Sequence, residues 1–312
     1  MAKIAGIDIG GTKISGAIIE NGIIISDVIK EKTPFCTQEI LGKVFEIIEK
    51  LQKLSPLDAI AIATAGAVNN ENSKVIGSTG NLPDDYSKTD FKKIFEERFN
   101  LPFLIENDAN AAAYAEYKIG AAKGSCSSIT VTLGTGVGGG IVLNGELLKG
   151  KSGAAGEIGH IMLGIKPERY CTCGQYNCFE AYASGTGFKK TIQELAETCP
   201  EFKKSILADK KAEELTTYEV IAGYKNGDDF CKIAYELWEK ELITGLTSLA
   251  NIFDPDNIVI SGGLAGEVSY EKVENAINEM IVTTPIKLLQ AKTGNYAGMI
   301  GAALLAETKN IL

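Results

Sequence analysis

The chain has 312 residues, enough for two domains of ordinary size, each with its own buried core. Hydrophobic residues make up 45% and charged residues 23%, which excludes a disordered or fibrous protein, and the net charge of −9 argues against nucleic acid as a partner. No apolar stretch is long enough to span a bilayer, and no signal-peptide pattern precedes the first predicted strand. We therefore expect a cytoplasmic protein with no membrane partner.

Strands and helices alternate along the predicted structure. Residue type and apolar spacing predict strands over residues 3–9, 14–20, 23–25, 59–63, 102–105, 129–133, 140–143 and 257–260, and helices over residues 40–51, 109–117, 230–253, 271–281 and 297–307. This alternation predicts an α/β protein with layered domains. The order of strand, glycine turn, strand and Asn-Gly hairpin occurs at residues 3–25 and again at residues 129–145. It indicates either a duplicated fold with two facing glycine turns or a chance recurrence of common turn signals.

The first glycine turn carries the side chains that a phosphate site needs. Glycine lets the backbone approach a ligand, a hydroxyl and an ammonium group can bind phosphate, and a carboxylate can hold a magnesium ion through water. The candidate residues are Asp8, Gly10, Gly11, Thr12 and Lys13. The alternative is an ordinary hairpin turn with a chance lysine.

The second glycine turn has five glycines among the seven residues 134–140. This is more glycine than turn geometry requires, so it indicates close contact between the backbone and a ligand. The candidate residues are Gly134, Thr135, Gly136 and Gly138. Neither turn has the spacing of a P-loop or the strand-to-helix setting of a dinucleotide fingerprint.

A third candidate segment, residues 106–108, joins the strand predicted over residues 102–105 to the helix that follows it. Asp108 therefore lies at the carboxyl end of a strand, where open α/β sheets carry their chemistry. Phosphoryl transfer to a hydroxyl group needs a positioned base, and an aspartate is ionised at neutral pH. The alternative is that Asp108 serves only as the N-cap of the helix.

Three of the seven cysteines and the only histidine lie within nineteen residues, as His160, Cys171, Cys173 and Cys178. Three thiolates and one imidazole form a closed tetrahedral zinc site of the structural kind, because no position remains for water. The alternatives are buried thiols beside an unrelated histidine, and a Cys–His nucleophile, which needs only one activated thiol.

Two glutamates, Glu157 and Glu180, bracket the predicted zinc ligands. A zinc ion that fixes this segment would also fix their carboxylates, which could accept hydrogen bonds from sugar hydroxyls. The alternative is that both are solvated surface residues. Because the glycine turns are distant in sequence, we expect loss of zinc to weaken sugar binding more than nucleotide binding.

Together these segments resemble the ROK family of bacterial sugar kinases and related repressors, over nearly the whole chain. The matching segments are residues 8–13 for its first phosphate motif, 106–110 for its catalytic-base segment, 133–160 for its glycine-rich signature, 171–180 for its zinc segment and 261–263 for its adenosine motif. The resemblance implies the actin-like, ribonuclease-H-like ATPase fold, with ATP and sugar in a cleft between two lobes. The lobes would be residues 1–117, joined by the C-terminal helix at about 297–312, and residues 118–296, with the zinc-binding segment at 160–178.

The resemblance also implies roles for the candidate residues. Asp108 would take the proton from the sugar 6-hydroxyl, ATP and Mg²⁺ would bind at the two glycine turns with Gly262 and Gly263, and Zn²⁺ would be structural. The residues that would hold the sugar are Gly66, Asn81, Asn107, Asp108, Glu157, His160 and Glu180. His160 would then serve both zinc and sugar.

The substrate is less sharply implied than the reaction. Many glucokinases of the family have Pro-Gly where this chain has Ala65-Gly66, and a tryptophan is frequent near the position of Tyr86. We expect glucose as the substrate, with N-acetylmannosamine as the alternative. A non-catalytic sugar-sensing protein is the alternative from another class, and the intact Asp8, Lys13 and Asp108 argue against it.

Two further expectations follow from the resemblance. A repressor of the family would need a helix-turn-helix segment ahead of Asp8, and we expect none. Family members are commonly dimers or tetramers, so we expect a homo-oligomer.

Overall fold

The structure is a computed structural model that describes residues 1–77, 82–166 and 168–309. In chain order the strands are β1 (Ile4–Ile9), β2 (Lys13–Glu20), β3 (Ile23–Ile24), β4 (Ile29–Lys32), β5 (Ala59–Thr64), β6 (Ala67–Val68), β7 (Val75–Gly77), β8 (Phe103–Asn107), β9 (Ser128–Leu133), β10 (Val137–Leu143), β11 (Glu146–Leu147), β12 (Asn257–Ser261) and β13 (Lys287–Gln290). The helices are α1 (Thr37–Leu54), α2 (Phe91–Phe99), α3 (Asp108–Lys118), α4 (Glu180–Ala183), α5 (Gly185–Thr198), α6 (Thr217–Lys225), α7 (Asp229–Phe253), α8 (Tyr270–Met280) and α9 (Ala297–Thr308). Every strand and helix expected from the sequence is present within a few residues, and β4 and α5 are among those not predicted. Within the described ranges, no helix combines the length and apolar character that crossing a bilayer needs.

The chain divides into two compact units. Unit 1 comprises residues 1–130, 140–156 and those from 291 onward, and unit 2 comprises residues 131–139 and 157–290. This division differs from the boundary expected after residue 117. One physical reason is that Gly140 of β10 lies against α3, where an added Cβ would be 2.4 Å from the Cβ of Ala113. The second half of β10 therefore packs with unit 1.

The main sheet of unit 1 has the order β3-β2-β1-β5-β8, with β4 also paired to β2. Strand β1 is antiparallel to β2 and parallel to β5, and β5 is parallel to β8. Both faces of β5 are buried, as expected for a central parallel strand. Ile60 and Ile62 face the core formed with α1, whereas Ala61 and Ala63 face the core formed with α3 and α9. The small alanines let these two helices lie close to the sheet.

The two glycine-turn copies share their backbone geometry. The predicted hairpin residues Asn21 and Gly22 have φ of 51° and 74°, and Asn144 and Gly145 have φ of 51° and 87°. These are left-handed conformations that Asn-Gly adopts readily in tight hairpins. One expectation is wrong in detail: β10 already begins at Val137, so the last three glycines of the second turn lie in a strand. Glycine is tolerated there because the backbone approaches another element closely.

Unit 2 is built around the long helix α7. The indole N–H of Trp238 donates a hydrogen bond to the carbonyl of Ala183 at 2.8 Å, and its ring stacks on Phe188 with centroids 5.0 Å apart. An added Cβ at Gly245 of α7 would be 2.3 Å from the ring of Phe179. Helix α7 therefore packs against α4 and the start of α5 and holds them in place.

Candidate active site

Asp8 lies at the first glycine turn of unit 1. The turn is closed by a hydrogen bond from the N–H of Gly10 to the carbonyl of Lys13 at 3.0 Å, and Gly11 and Thr12 are exposed. Burial, and after it the charge of Asp108, raises the pKa of Asp8 to about 7, while Lys13 acts in the opposite direction. The structure thus brings the two predicted carboxylates into electrostatic contact.

Asp108 is the first residue of α3, but it is not the N-cap. Asn107 takes that position, and its side-chain oxygen accepts a hydrogen bond from the N–H of Asn110 at 3.0 Å. The Oδ1 atom of Asp108 accepts bonds from the N–H of Ala109 at 2.8 Å and from Nδ2 of Asn107 at 3.2 Å. These donors fix the plane of the Asp108 carboxylate, and the alternative of a simple capping role is wrong.

Glu106 precedes Asn107 and is fully buried, and both of its carboxylate oxygens have hydrogen-bond partners. Its carboxylate accepts hydrogen bonds from Nζ of Lys149 at 2.8 Å, Nδ2 of Asn72 at 2.8 Å and Nδ2 of Asn110 at 3.2 Å, and from the N–H of Asn107 at 2.9 Å. Lys149 was not among the residues predicted from the sequence. The available signal was a lone glutamate in an apolar strand, because a buried carboxylate requires a charged partner.

Gly66 follows β5 and has a φ of +97°. An added Cβ would lie 2.4 Å from the carbonyl oxygen of Gly77, so only glycine fits this backbone. Its carbonyl accepts a hydrogen bond from Nδ2 of Asn107 at 3.0 Å, which links it to the segment of Asp108. Asn81, another predicted sugar contact, lies outside the described residues.

The second glycine turn and the predicted adenosine motif meet in unit 2. The N–H of Gly134 bonds to the carbonyl of Gly136 at 3.0 Å, and Thr135 between them is exposed. An added Cβ at Gly262 would be 2.4 Å from the carbonyl of Leu133, the residue before the turn. Gly138 lies in β10, beyond the turn, and the Cβ position of Gly263 points into open space.

Gly185, at the start of α5, joins this group and was not among the residues predicted from the sequence. Its N–H donates a hydrogen bond to the carbonyl of Gly134 at 2.8 Å. Ser184 is the N-cap of the helix, with its hydroxyl accepting from the N–H of Gly187 at 2.9 Å. A serine followed by two glycines ahead of a helical pattern was the signal available. Helix amide groups at such an end are suited to binding anions.

Glu180 connects the second glycine turn to the cysteine segment. Its Oε2 accepts a hydrogen bond from the N–H of Val137 at 2.9 Å, and an added Cβ at Gly136 would be 2.3 Å from the same oxygen. Its Oε1 accepts from the hydroxyl of Thr172 at 3.3 Å and lies 3.7 Å from the sulfur of Cys171. The expectation that the glycine turns are distant from the zinc segment is therefore wrong for the second turn.

The four predicted zinc ligands form one cluster. One ligand atom from each of His160, Cys171, Cys173 and Cys178 lies within 4.8 Å of the others. The sulfur atoms of Cys173 and Cys178 are 3.6 Å apart, and the sulfur of Cys171 is 3.8 Å from Nδ1 of His160. Atoms bound at about 2.3 Å to a tetrahedral zinc ion are about 3.8 Å from each other, so this donor set fits zinc.

The Nε2 edge of the His160 ring points to Glu157. Its Nε2 is 3.9 Å from a carboxylate oxygen of Glu157, whose side chain is 58% exposed. With Nδ1 facing the thiols, the ring separates the cysteine cluster from this carboxylate. Glu157 is thus beside the zinc segment, as predicted, but it remains open to solvent.

The chain is similar to known proteins both in sequence and in structure. The sequence model of the ROK family matches residues 4–309. A glucokinase of Streptomyces coelicolor is 32% identical over 314 residues, covering 98% of each chain. An N-acetylmannosamine kinase of Vibrio cholerae is 33% identical over 304 residues, covering 95% of this chain and 96% of the relative. The structure of a ROK family glucokinase from Streptomyces griseus in complex with glucose and AMPPNP has a TM-score of 0.80 at 30% identity, covering 98% of this chain and 99% of that one.

Proposed function

The chain belongs to the ROK family and is an ATP-dependent sugar kinase with the actin-like ATPase fold, and we propose that it phosphorylates glucose at the 6-hydroxyl. The observation that carries the proposal is the pair of carboxylates in unit 1, Asp8 at the glycine turn and Asp108 at the end of β8. A kinase needs both a carboxylate near the metal and phosphates and a second one that accepts the proton of the attacking hydroxyl.

Asp108 is proposed as the base. Its carboxylate plane is held by Asn107 and by the N–H of Ala109, so it is oriented before the sugar binds. From this position it would accept the proton of the 6-hydroxyl as that oxygen attacks phosphorus. A positioned base of this kind is worth about 10² to 10⁴ in rate.

Asp8 fits a magnesium site by its charge. The charge of Asp108 contributes to raising the pKa of Asp8, and a divalent cation bound beside the two carboxylates would relieve that repulsion. When bound, Mg²⁺ would neutralise the charge of the donor phosphates. Gly10, Gly11, Thr12 and Lys13 would bind the phosphates in unit 1, and Gly134, Thr135, Gly136, Gly138, Gly262 and Gly263 would contact the nucleotide in unit 2.

The substrate is best tested by an ADP-release assay with glucose, N-acetylmannosamine, N-acetylglucosamine and fructose. We expect the highest kcat/KM with glucose, because glucokinases are among the relatives at full coverage. N-acetylmannosamine is the alternative, since a kinase for it is equally similar. If no sugar yields ADP, the chain is instead a non-catalytic sugar-binding protein. Asp108→Asn is the control that separates turnover from contaminating activity.

The sugar contacts are proposed from the family and supported by local geometry. Asn107 and Gly66 are hydrogen-bonded to each other at the end of β8, and Glu157, His160 and Glu180 lie along one segment of unit 2. Alanine or glutamine substitution of Glu157 should raise KM for sugar more than KM for ATP. An equal rise in both would contradict its assignment as a sugar contact.

Zinc is proposed as the ion of the cysteine cluster, in a structural role. Burial raises the pKa of Cys178 to about 12, so this thiol stays protonated at neutral pH unless a cation binds it. Bound zinc would hold the thiolates and the imidazole and leave no open position. Native mass spectrometry should find about one zinc per chain. Active, undamaged protein without zinc would refute the site.

We also propose that the protein works in the cytoplasm as a homo-oligomer, a dimer or tetramer, with a sugar and ATP as its ligands and no nucleic acid. The location follows from its donor, because ATP is an intracellular metabolite, and the net charge of −9 disfavours nucleic acid. Light scattering coupled to size exclusion tests the oligomeric state.

A further inference from the structure

Three lysines lie on one face of the β2–β4 pair in unit 1. Lys13 is directly opposite Lys32, and Ser15 is directly opposite Lys30. Side chains of directly opposed residues share a face, as do residues two apart along a strand. Lys13, Lys30 and Lys32 therefore form one group, which we call the basic row.

The opposite face of β4 is accounted for separately. Glu31 is directed toward α1, where its carboxylate is 3.6 Å from Nζ of Lys50. Ile29 packs against the apolar core on the same side. Strand β4 thus alternates between a face that packs on α1 and a face that carries only lysines.

The basic row lies on the face that carries Asp8. In the β1–β2 pair, Asp8 is directly opposite Ser15, the residue that faces Lys30 in the β2–β4 pair. Nζ of Lys30 is 5.5 Å from the ring centroid of Tyr296, the residue before α9. The row therefore runs from the first glycine turn along the edge of the sheet, on the side of Asp8.

Lys13 and Lys32 place two like charges at directly opposed positions of the sheet. The N–H of Thr33 donates to the carbonyl of Thr12 at 3.2 Å, which makes the next pair, Lys13 and Lys32, a non-hydrogen-bonded one with Cα atoms about 4.5 Å apart. Like charges at directly opposed positions destabilise a sheet. Lys13 acts to lower the pKa of the Asp8 carboxyl, and Nζ of Lys32 is 6.0 Å from the ring centroid of Phe35.

The basic row is notable in an acidic chain. The chain has 40 acidic and 31 basic residues, yet the edge of the sheet beside the first glycine turn carries three lysines on one face. Both Lys13 and Lys32 are exposed, so their ammonium groups are accessible to a solute. An anion that bridges them would relieve their repulsion and gain two charge-assisted contacts.

We propose that Lys32 joins Lys13 in binding the condensed phosphate chain of the phosphoryl donor, and that the basic row forms a binding site for such chains. Lys30 lies two residues further along, about 6.8 Å away, and extends the row for a longer chain. The ligand chemistry is a chain of linked phosphates, from a nucleoside triphosphate or from inorganic tripolyphosphate. The identity of the donor rests on the proposed kinase function, whereas binding of the chain can be measured without turnover.

The proposal has a signature that a structural role for Lys32 lacks. Removing one member of a repelling pair should stabilise the ligand-free protein while it weakens phosphate binding. A lysine kept for packing would show the reverse, a loss of stability without a selective loss of phosphate affinity. Stability of the ligand-free protein therefore rises while phosphate affinity falls only if Lys32 binds the anion.

The experiment compares wild type, Lys32→Gln, Lys32→Arg and the control Lys53→Gln. Lys53 is exposed on α1 in the same unit, so its substitution makes the same change in net charge away from the row. Melting temperature is measured without ligand, and calorimetry gives Kd for magnesium tripolyphosphate, magnesium AMPPNP and glucose.

For Lys32→Gln we expect a ligand-free melting temperature higher by about 1–3 °C. We expect Kd to rise roughly tenfold for both phosphate ligands and to stay unchanged for glucose. Lys32→Arg should keep wild-type affinity, and Lys53→Gln should match wild type throughout.

The proposal is overturned if Lys32→Gln and Lys53→Gln have the same effect on phosphate binding, or if only AMPPNP affinity falls, because the shared phosphate chain would then not be the ligand. A loss of affinity confined to tripolyphosphate supports the basic row as a binding site and assigns inorganic phosphate chains as its ligand. Failure of every sugar to release ADP would refute the kinase function but leave these binding results unaffected.

Discussion

At the scale of single residues, the candidate active site places two carboxylates where their negative charges repel each other. Asp8 is half-buried and faces the charge of Asp108, and a Cβ added at Gly298 would be in van der Waals contact with its Cγ at 3.5 Å. A group whose folded pKa is raised destabilises the folded state once it must ionise. The pair is thus arranged for a ligand that brings positive charge and not for the stability of the empty protein.

Asp8→Asn should stabilise the metal-free protein in a pH-dependent manner while it abolishes turnover. The pKa of Asp8 is about 7 against an ordinary 3.8, so the wild-type protein loses stability as pH rises from about 4 to 7, and no penalty exists at lower pH. In EDTA, the variant should gain roughly 2–4 kcal/mol over wild type at pH 8 and nothing at pH 4. Denaturant unfolding at the two pH values measures this. The exposed Asp84→Asn should show no such difference, and equal gains at both pH values would contradict the assigned pKa.

The ion pair behind Asp108 gives a second residue-scale prediction. Lys149→Met leaves the buried Glu106 carboxylate without its cation and should cost about 3–5 kcal/mol of unfolding free energy. Adding Glu106→Gln removes the unpaired charge and should recover most of the loss. Lys151→Met, an exposed neighbour, is the control. A double variant as unstable as the single one would show that the ion pair is not the cause.

At the scale of elements, the segments with local signals were predictable and those with distant partners were not. The hairpins at Asn21 and Asn144 were indicated because an Asn-Gly pair favours its turn wherever it occurs. The start of β10 at Val137, ahead of the strand predicted from Gly140, was not, because a run of glycines gives no local signal for a strand. Likewise Asp108 was found from its place after a strand, whereas Lys149, the partner of Glu106, was not, because the two residues are 43 positions apart in sequence.

Helix α4 gives the prediction at this scale, because its first residue contacts two functional segments. The carboxylate of Glu180 bonds to Val137 beside the second glycine turn and to Thr172 beside the zinc ligands. Removing zinc should therefore raise Kd for both glucose and AMPPNP, and not for glucose alone. Calorimetry on chelator-treated protein, with zinc added back as the control, measures both. A loss confined to glucose would show that Glu180 keeps its bond to Val137 without the metal.

At the scale of the whole molecule, each unit has its own source of stability. Unit 1 contains the apolar cores on both faces of its sheet and the buried pair of Glu106 and Lys149. Unit 2 contains α7 with its buried Trp238, and all four proposed zinc ligands. The two units should therefore respond separately to perturbations that act on only one of them.

Scanning calorimetry should resolve this difference. The four proposed zinc ligands all lie in unit 2, so a chelator should shift one transition to lower temperature while the other stays in place. Lys149→Met acts only in unit 1 and should shift the other transition, with zinc still bound. Combining the two changes should shift each transition by as much as its own change does alone. If either change alone moved both transitions equally, the units would unfold as one cooperative body, and the metal would stabilise the whole chain.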